Sequence, residues 1–275
     1  MQVLDLRDPK GRGESGLKDE VRRFWDARPC GTSDIAGVAE ASRAFFEALD
    51  IRRYALEPFI GQYACFAEQA GRRVLEIGCG AGSDLARFAR GGGVVTGVDL
   101  SPRTVALARR RLALEGLTAE LAVADAEALP FRDEWFDFVY SWGVLHHTPD
   151  TAQAVAEVYR VLVPGGRACV MLYHLRSLFA LQAWVRYALL QGRPWHSASD
   201  VLAAHIESPG TKAYTVAEAR ALFDGAGFTE IVVETVLTPW DVRFGRRRFL
   251  PAWCRRFLPN RWGWFLVVCA RRSRQ

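Results

Sequence analysis

Lysine is nearly missing from this chain of 275 residues: three Lys stand against 33 Arg. Acidic residues are missing altogether from Arg243 to Gln275, a stretch that holds ten Arg. The net charge of +5 therefore belongs to the C-terminal end, since residues 1–242 carry 26 basic against 31 acidic groups. The fold as a whole is not basic, and no nucleic-acid partner is expected. There is no C-x-x-C pair among the six cysteines, Cys30, Cys65, Cys79, Cys169, Cys254 and Cys269. A disulfide-stapled miniprotein is excluded, and free thiols in a reducing cytoplasm are expected. No run of 18 apolar residues is present, so a membrane-spanning helix is not expected. The first 16 residues, MQVLDLRDPKGRGESG, lack the apolar segment of a signal peptide. What is present is ordinary for a globular α/β domain with additions: half of the residues are apolar and about a quarter charged.

Residues 1–16 read as a flexible leader. Helices are predicted over 18–28, where Val21, Phe24 and Trp25 share a face, and over about 38–49 and 55–70, with Pro58 near the start of the last. From residue 72 strands and helices alternate, which implies a parallel, doubly wound sheet. Ser101 and Pro102 open one helix, and Pro164-Gly165-Gly166 is expected to end another over 151–162. Residues 175–210 interrupt the alternation with an apolar, aromatic helical stretch. Thr215 and Glu218 form a capping box for the next helix. The two final strands lack a crossover helix, so an antiparallel edge pair is expected. The expected division is 1–70 for the leader and cap helices, 71–174 for the core and 175–214 for a helical lid. Residues 215–275 then supply a helix and antiparallel strands, with a basic aromatic insertion at 239–261.

The chemistry is concentrated at VLEIGCGAG, residues 74–82. Gly78, Gly80 and Gly82 let the backbone turn from strand to helix and approach a ligand. A dinucleotide fingerprint needs Gly or Ala where Ser83 stands. Glu76, two residues before the first glycine, would repel a pyrophosphate but suits an ammonium group. Asp99 ends the next strand and can accept two hydrogen bonds from ribose hydroxyls. Asp125 ends the third and, with Ala126, suits an adenine amino group. Three carboxylates at successive strand ends fit a cationic nucleoside without phosphate, such as S-adenosylmethionine. Each residue also has a structural alternative: strand–helix packing for Gly80 and Gly82, a helix N-terminal charge for Asp99, a small loop filler for Cys79.

LEIGCGAG, VTGVDLSPRTVALAR, DAEALPF, FDFVYSWGVLHH and EVYRVLVPGGRACV lie in order over residues 73–172. In that order and spacing they resemble the class I S-adenosylmethionine-dependent methyltransferases, and most of all their small-molecule, quinone and sterol branch. The resemblance implies a Rossmann-like, doubly wound seven-stranded sheet with an antiparallel last strand. It implies S-adenosyl-L-methionine as cofactor and methyl transfer to a small-molecule acceptor, hydrophobic or anionic. Glu76, Gly78, Cys79, Gly80 and Gly82 would then line its methionine end. Asp99 would take the ribose, Leu100 would stack near the adenine, and Asp125 and Ala126 would flank adenine N6. Ser141 or Trp142 would lie beside the cofactor. Quinone O-methyltransferases of this kind carry two carboxylates and a His as metal ligands after the fourth strand. Gly143 and His146 stand in place of the carboxylates and only His147 is kept, so no metal is expected.

His146 and His147 are the candidate catalytic bases, the alternative being hydrogen bonding to loop backbone. Acceptor residues are expected in the lids: Trp25, Tyr54, Tyr173 and Trp184, whose alternative is core packing beneath a lid. Cys30 is a remote candidate for a soft acceptor. In residues 246–258, Phe249, Trp253 and Phe257 would share a helical face flanked by Arg, which suits contact with the inner face of a membrane, an anionic acceptor, nucleic acid, or simply a solvated surface. The competing functional classes are a non-catalytic cofactor-binding partner and an RNA or protein methyltransferase. SWGV after the fourth strand lacks the Asn/Asp-Pro-Pro-aromatic motif of RNA base enzymes.

Overall fold

The computed structural model describes residues 14–35, 37–244, 247–248 and 258–274. Three helices precede the sheet: α1 (Glu14–Ala27), α2 (Arg43–Leu56) and α3 (Ile60–Ala64). The leader expected to residue 16 thus gives way to helix by Glu14. The helix expected over 38–49 starts later and runs on as α2, and the one expected over 55–70 is reduced to α3 and a 3₁₀ turn over Phe66–Gln69. Ser42 sets the start of α2 by accepting the Phe45 N–H. The helix runs on to Leu56 and stops because Pro58 disfavours helical backbone at Glu57.

The alternation then follows as β1 (Arg73–Ile77), α4 (Ser83–Arg90), β2 (Val94–Asp99), α5 (Pro102–Glu115), β3 (Glu120–Val123), β4 (Phe136–Trp142), α6 (Thr151–Val161) and β5 (Leu162–Tyr173). Ser101 caps α5 by accepting from Thr104 N–H, with Pro102 in its first turn. The expected end of α6 at Pro164 is corrected. Leu162 already pairs with Phe136, and pairing resumes only at Arg167 opposite Phe138. Pro164-Gly165-Gly166 is therefore a bulge inside β5, with Gly165 at φ +78°.

The lid follows as α7 (Leu178–Tyr187) and α8 (Ala198–His205), then α9 (Val216–Gly225) with both halves of its capping box formed by Thr215 and Glu218. The remaining strands are β6 (Phe228–Val236), a two-residue ladder of β7 (Arg243–Phe244) with β8 (Arg247–Arg248), and β9 (Phe265–Arg272). The main sheet has seven strands in the order β3-β2-β1-β4-β5-β9-β6. Strand β9 alone runs antiparallel, to β5 and β6 on either side.

Side-chain alternation along the strands divides the core. Val74, Phe138, Tyr140 and Trp142 face one side with Phe88 of α4. Leu75, Ile77 and Val139 face the other, against Val155 and Val158 of α6 and Phe223 of α9. Both faces of the central strands are covered, which is why they read as near-continuous apolar runs. Among the described residues no helix is long and apolar enough to cross a membrane. Arg246, Phe249, Trp253, Arg255, Arg256 and Phe257 of the basic insertion, and Cys254, lie outside the described residues.

Candidate active site

Strand β1 has β2 on one side and β4 on the other, so the sheet switches direction of winding between β1 and β4. Ligands collect at the carboxyl ends of strands at such a point. A cavity of about 530 Å³ lies there. Helix α1 covers it through Lys18, Val21 and Trp25, and the lid closes it through Phe179, His205 and Glu207.

The glycine turn forms one wall. Gly78 and Cys79 both donate their N–H to Val98 O, which folds the turn back onto β2. Gly78 sits at φ +77°, and a Cβ there would meet Val144 Cγ2 at 2.1 Å. Only glycine fits between the turn and the segment after β4. Asp99 fastens the same turn: one carboxylate oxygen accepts from Gly80 N–H (3.0 Å) and the other from Ser101 N–H (2.9 Å). Burial nevertheless pushes its carboxyl above the ordinary range. Cys79 contributes a buried thiol pushed well up by desolvation, so it is not a nucleophile.

Glu76 lies at the end of β1, buried, and its Oε2 has no hydrogen-bond partner among the described residues. Burial, followed by the charge of Asp84, holds its carboxyl well above the usual range. Asp84 opens α4 and was not singled out in the sequence. Burial opposes its charge, but Arg53 and the hydroxyls of Tyr54 (2.7 Å) and Tyr140 (3.0 Å) outweigh burial and hold it below the usual range. Arg53, whose charge also reaches Glu76, is thus already committed to Asp84.

Asp125 meets an unexpected partner. Lys18 of α1 reaches it at 2.6 Å and also pairs with Glu127. The lid helix is thereby anchored to the third carboxylate of the series.

The far end of the cavity is aromatic: Trp25, Trp142, Tyr173, Phe179, Trp240 and Trp264 line it. Two carboxylates face it. Glu57 accepts the Trp142 indole N–H (2.6 Å), and burial raises its pKa. Glu207 accepts the Tyr173 hydroxyl (2.7 Å) and lies 3.2 Å from His147 Nε2. Burial opposes its charge, but His147 and Tyr173 prevail and hold its carboxyl below the ordinary range. The hydroxyls of Ser208 (2.9 Å) and Thr211 (3.0 Å) fix His147 through Nδ1.

Of the residues singled out in the sequence, Glu76, Gly78, Cys79, Gly80, Asp99, Leu100, Asp125, Ala126, Trp142, His147, Trp25 and Tyr173 line this cavity. Five do not. Gly82 packs against Ala108. Ser141 is fully buried with its hydroxyl donated to Ile77 O. Tyr54 turns to Asp84, its ring covered by the Arg87 guanidinium at 3.3 Å. Trp184 donates to His196 O inside the lid, 2.8 Å away. His146 packs against Tyr173 and does not line the cavity. Burial keeps it far below its usual pKa.

Residues 75–170 match a family model described as a methyltransferase domain. The match covers about a third of the chain, the core from β1 to β5. Over 104 residues the chain is 39% identical to a methyltransferase, GfsG, of Streptomyces halstedii, covering 37% of each chain. Over 107 residues it is 40% identical to a demethylmenaquinone methyltransferase of Thermus thermophilus, covering 38% of this chain and 48% of the relative. The chain thus spans less than half the length of these relatives, and the likeness is that of the methyltransferase domain. The fold is shared with a solved S-adenosylmethionine-dependent methyltransferase of Mesorhizobium loti. The TM-score is 0.55 at 24% identity, over 74% of this chain and 93% of that one. Arg53, expected with the N-terminal lid, does line the cavity, whereas Lys18, Glu57 and Glu207, outside the matched domain, escaped the sequence reading. They sit in segments without strand periodicity, where spacing carries no sign of what lies across the fold.

Proposed function

We propose that this chain is an S-adenosylmethionine-dependent methyltransferase with a small hydrophobic acceptor. The observation that carries the cofactor is Glu76: a buried carboxylate oxygen without a partner, beside a glycine turn that leaves room for a ligand. A ligand ammonium supplies the missing partner. Asp99 would hold the ribose while keeping Gly80 and Ser101, since a carboxylate has about four acceptor sites. When bound, the cofactor supplies a methyl group already activated on a sulfonium. The protein's part is to orient the acceptor and exclude water, which the aromatic end and the α1 and α7–α8 lids support.

A hydrophobic acceptor is favoured over an anionic one. Glu57 and Glu207 face that end, while of the described lining cations Lys18 and Arg53 are paired with Asp125, Glu127 and Asp84, and Arg52 is engaged as well. His147 with Glu207 is the polar pair that meets an acceptor hydroxyl. Membrane contact through residues 246–258 is a separate proposal, tested by co-sedimentation with anionic vesicles with and without Arg255→Glu and Arg256→Glu.

Calorimetric titration with S-adenosylmethionine tests the reading, using wild type, Asp99→Ala and Gly80→Arg. Among the described residues, no heavy atom beyond Gly80 and its two chain neighbours lies within 4 Å of a Cβ there, so the arginine has room to enter the cavity. Binding by wild type and its loss in both variants supports the assignment; a folded wild type that does not bind overturns it.

A further inference from the structure

His146 and His147 follow β4, and Glu207 comes 60 residues later, after α8. The three converge. One ligand atom of each lies within 4.8 Å of the others. His146 is fully buried, and neither ring nitrogen has a hydrogen-bond partner among the described residues. A buried imidazole left with two unmet nitrogens is costly. His147 Nε2 is 3.2 Å from Glu207 Oε2, yet off hydrogen-bond alignment, so two lone-pair carriers point toward common ground.

We infer that His146, His147 and Glu207 form a binding site for one divalent transition ion of the zinc type. Two imidazoles and one carboxylate are the donor set of open zinc sites, which keep a fourth position for water or substrate. The outer contacts also fit. Ser208 and Thr211 occupy His147 Nδ1, leaving Nε2 as the ligand atom, and the Tyr173 hydroxyl steadies Glu207. Ligand atoms on one zinc ion lie roughly 3.4 Å apart, from bond lengths of about 2.1 Å. The longest side of the cluster must therefore close by at most ~1.4 Å, within reach of side-chain rotation from 4.8 Å. His147 and Glu207 both line the cavity, so the open position faces the acceptor end. An acceptor oxygen bound there is held in place and loses its proton more readily.

The sequence argues against a metal because Gly143 and His146 stand where carboxylate ligands would. The third ligand arrives from the lid, which no local spacing reveals. The role toward an acceptor rests on the methyltransferase reading; metal binding does not.

Chelator-treated, dialysed protein is titrated with Zn²⁺ alone by calorimetry, using wild type, His146→Ala and Glu207→Gln. Circular dichroism and S-adenosylmethionine binding check the fold of each variant. One Zn²⁺ per chain is expected, with affinity at least tenfold lower in both variants. His196→Ala, in the lid but outside the cluster, leaves it unchanged. Co²⁺ substitution gives the visible absorption of a four-coordinate site in wild type and loses it in Glu207→Gln, which also covers a His146→Ala chain that does not fold. Wild type that binds no Zn²⁺, or Glu207→Gln that binds it as wild type does, overturns the proposal. Retained S-adenosylmethionine binding in that case leaves the methyltransferase reading standing.

Discussion

Replacing Glu76 by Gln separates binding from stability. The carboxylate is 4% exposed, has an unpartnered Oε2 and lies near the charges of Asp84 and Asp99. Its pKa is raised by burial, so between the ordinary carboxylate range and its folded value the native state holds a proton that the unfolded chain has released. Stability from this residue is therefore lost as pH rises through that window. Glutamine removes the charge and keeps the shape, so the ligand-free variant is as stable as wild type or more so at neutral pH. Binding moves the other way. A hydrogen bond to a charged group contributes about 1.5–3 kcal/mol, so affinity for S-adenosylmethionine falls by roughly 10- to 150-fold. Wild-type affinity also weakens on acidification as Glu76 becomes protonated, and the variant lacks this slope. Urea unfolding gives the stability and calorimetry from pH 5 to 8 gives the affinity. A variant that is destabilised and binds as tightly as wild type refutes the assignment of Glu76 to the ammonium.

Three further outcomes follow from other parts of the site. Cys30 lines the cavity, and desolvation among its walls and the charge of Glu207 push its thiol up to about 12. Its alkylation by iodoacetamide, read by peptide mapping, stays slow at pH 8 and keeps rising beyond pH 10; a plateau near pH 9 contradicts this. Asp241 is fully buried and accepts from Thr238 N–H and Oγ1, Trp264 N–H and Phe179 N–H, tying α7 to β9. Asp241→Ala leaves buried donors unmet at about 1–3 kcal/mol each, so urea unfolding shows a loss of roughly 3 kcal/mol or more. Burial raises the Asp241 carboxyl to about 6, so its contribution declines as pH rises toward that value, and Asp241→Asn flattens this dependence. Lys18 ties α1 to Asp125 and Glu127, so Lys18→Met speeds S-adenosylmethionine dissociation in stopped flow; an unchanged off-rate means α1 does not gate the cavity.

The parts of the fold that were legible in the sequence are those with local causes. Alternating apolar runs marked the strands, and Ser101, Pro102, Thr215 and Glu218 marked helix starts because a cap is a contact over three residues. The boundary near Glu57 was missed because Pro58 fits either a helix start or a helix stop. The Pro164-Gly165-Gly166 bulge was missed because its cause is pairing with Phe136, distant in sequence. The same division holds for the site. Glu76, Asp99 and Asp125 sit at strand ends and could be placed by topology. Tyr54 and Trp184 were chosen on residue type, and long-range hydrogen bonds send them elsewhere. Glu57, Lys18 and Glu207 reach the cavity only through the packing of cap and lid.

The central claim is that the carboxylates at the ends of β1 and β2 hold S-adenosylmethionine. A crystal structure with S-adenosylhomocysteine tests it most directly. The account predicts the amino group of the ligand against Glu76 and its ribose hydroxyls on Asp99. A ligand bound outside this cavity, or within it with Glu76 and Asp99 untouched, contradicts the account.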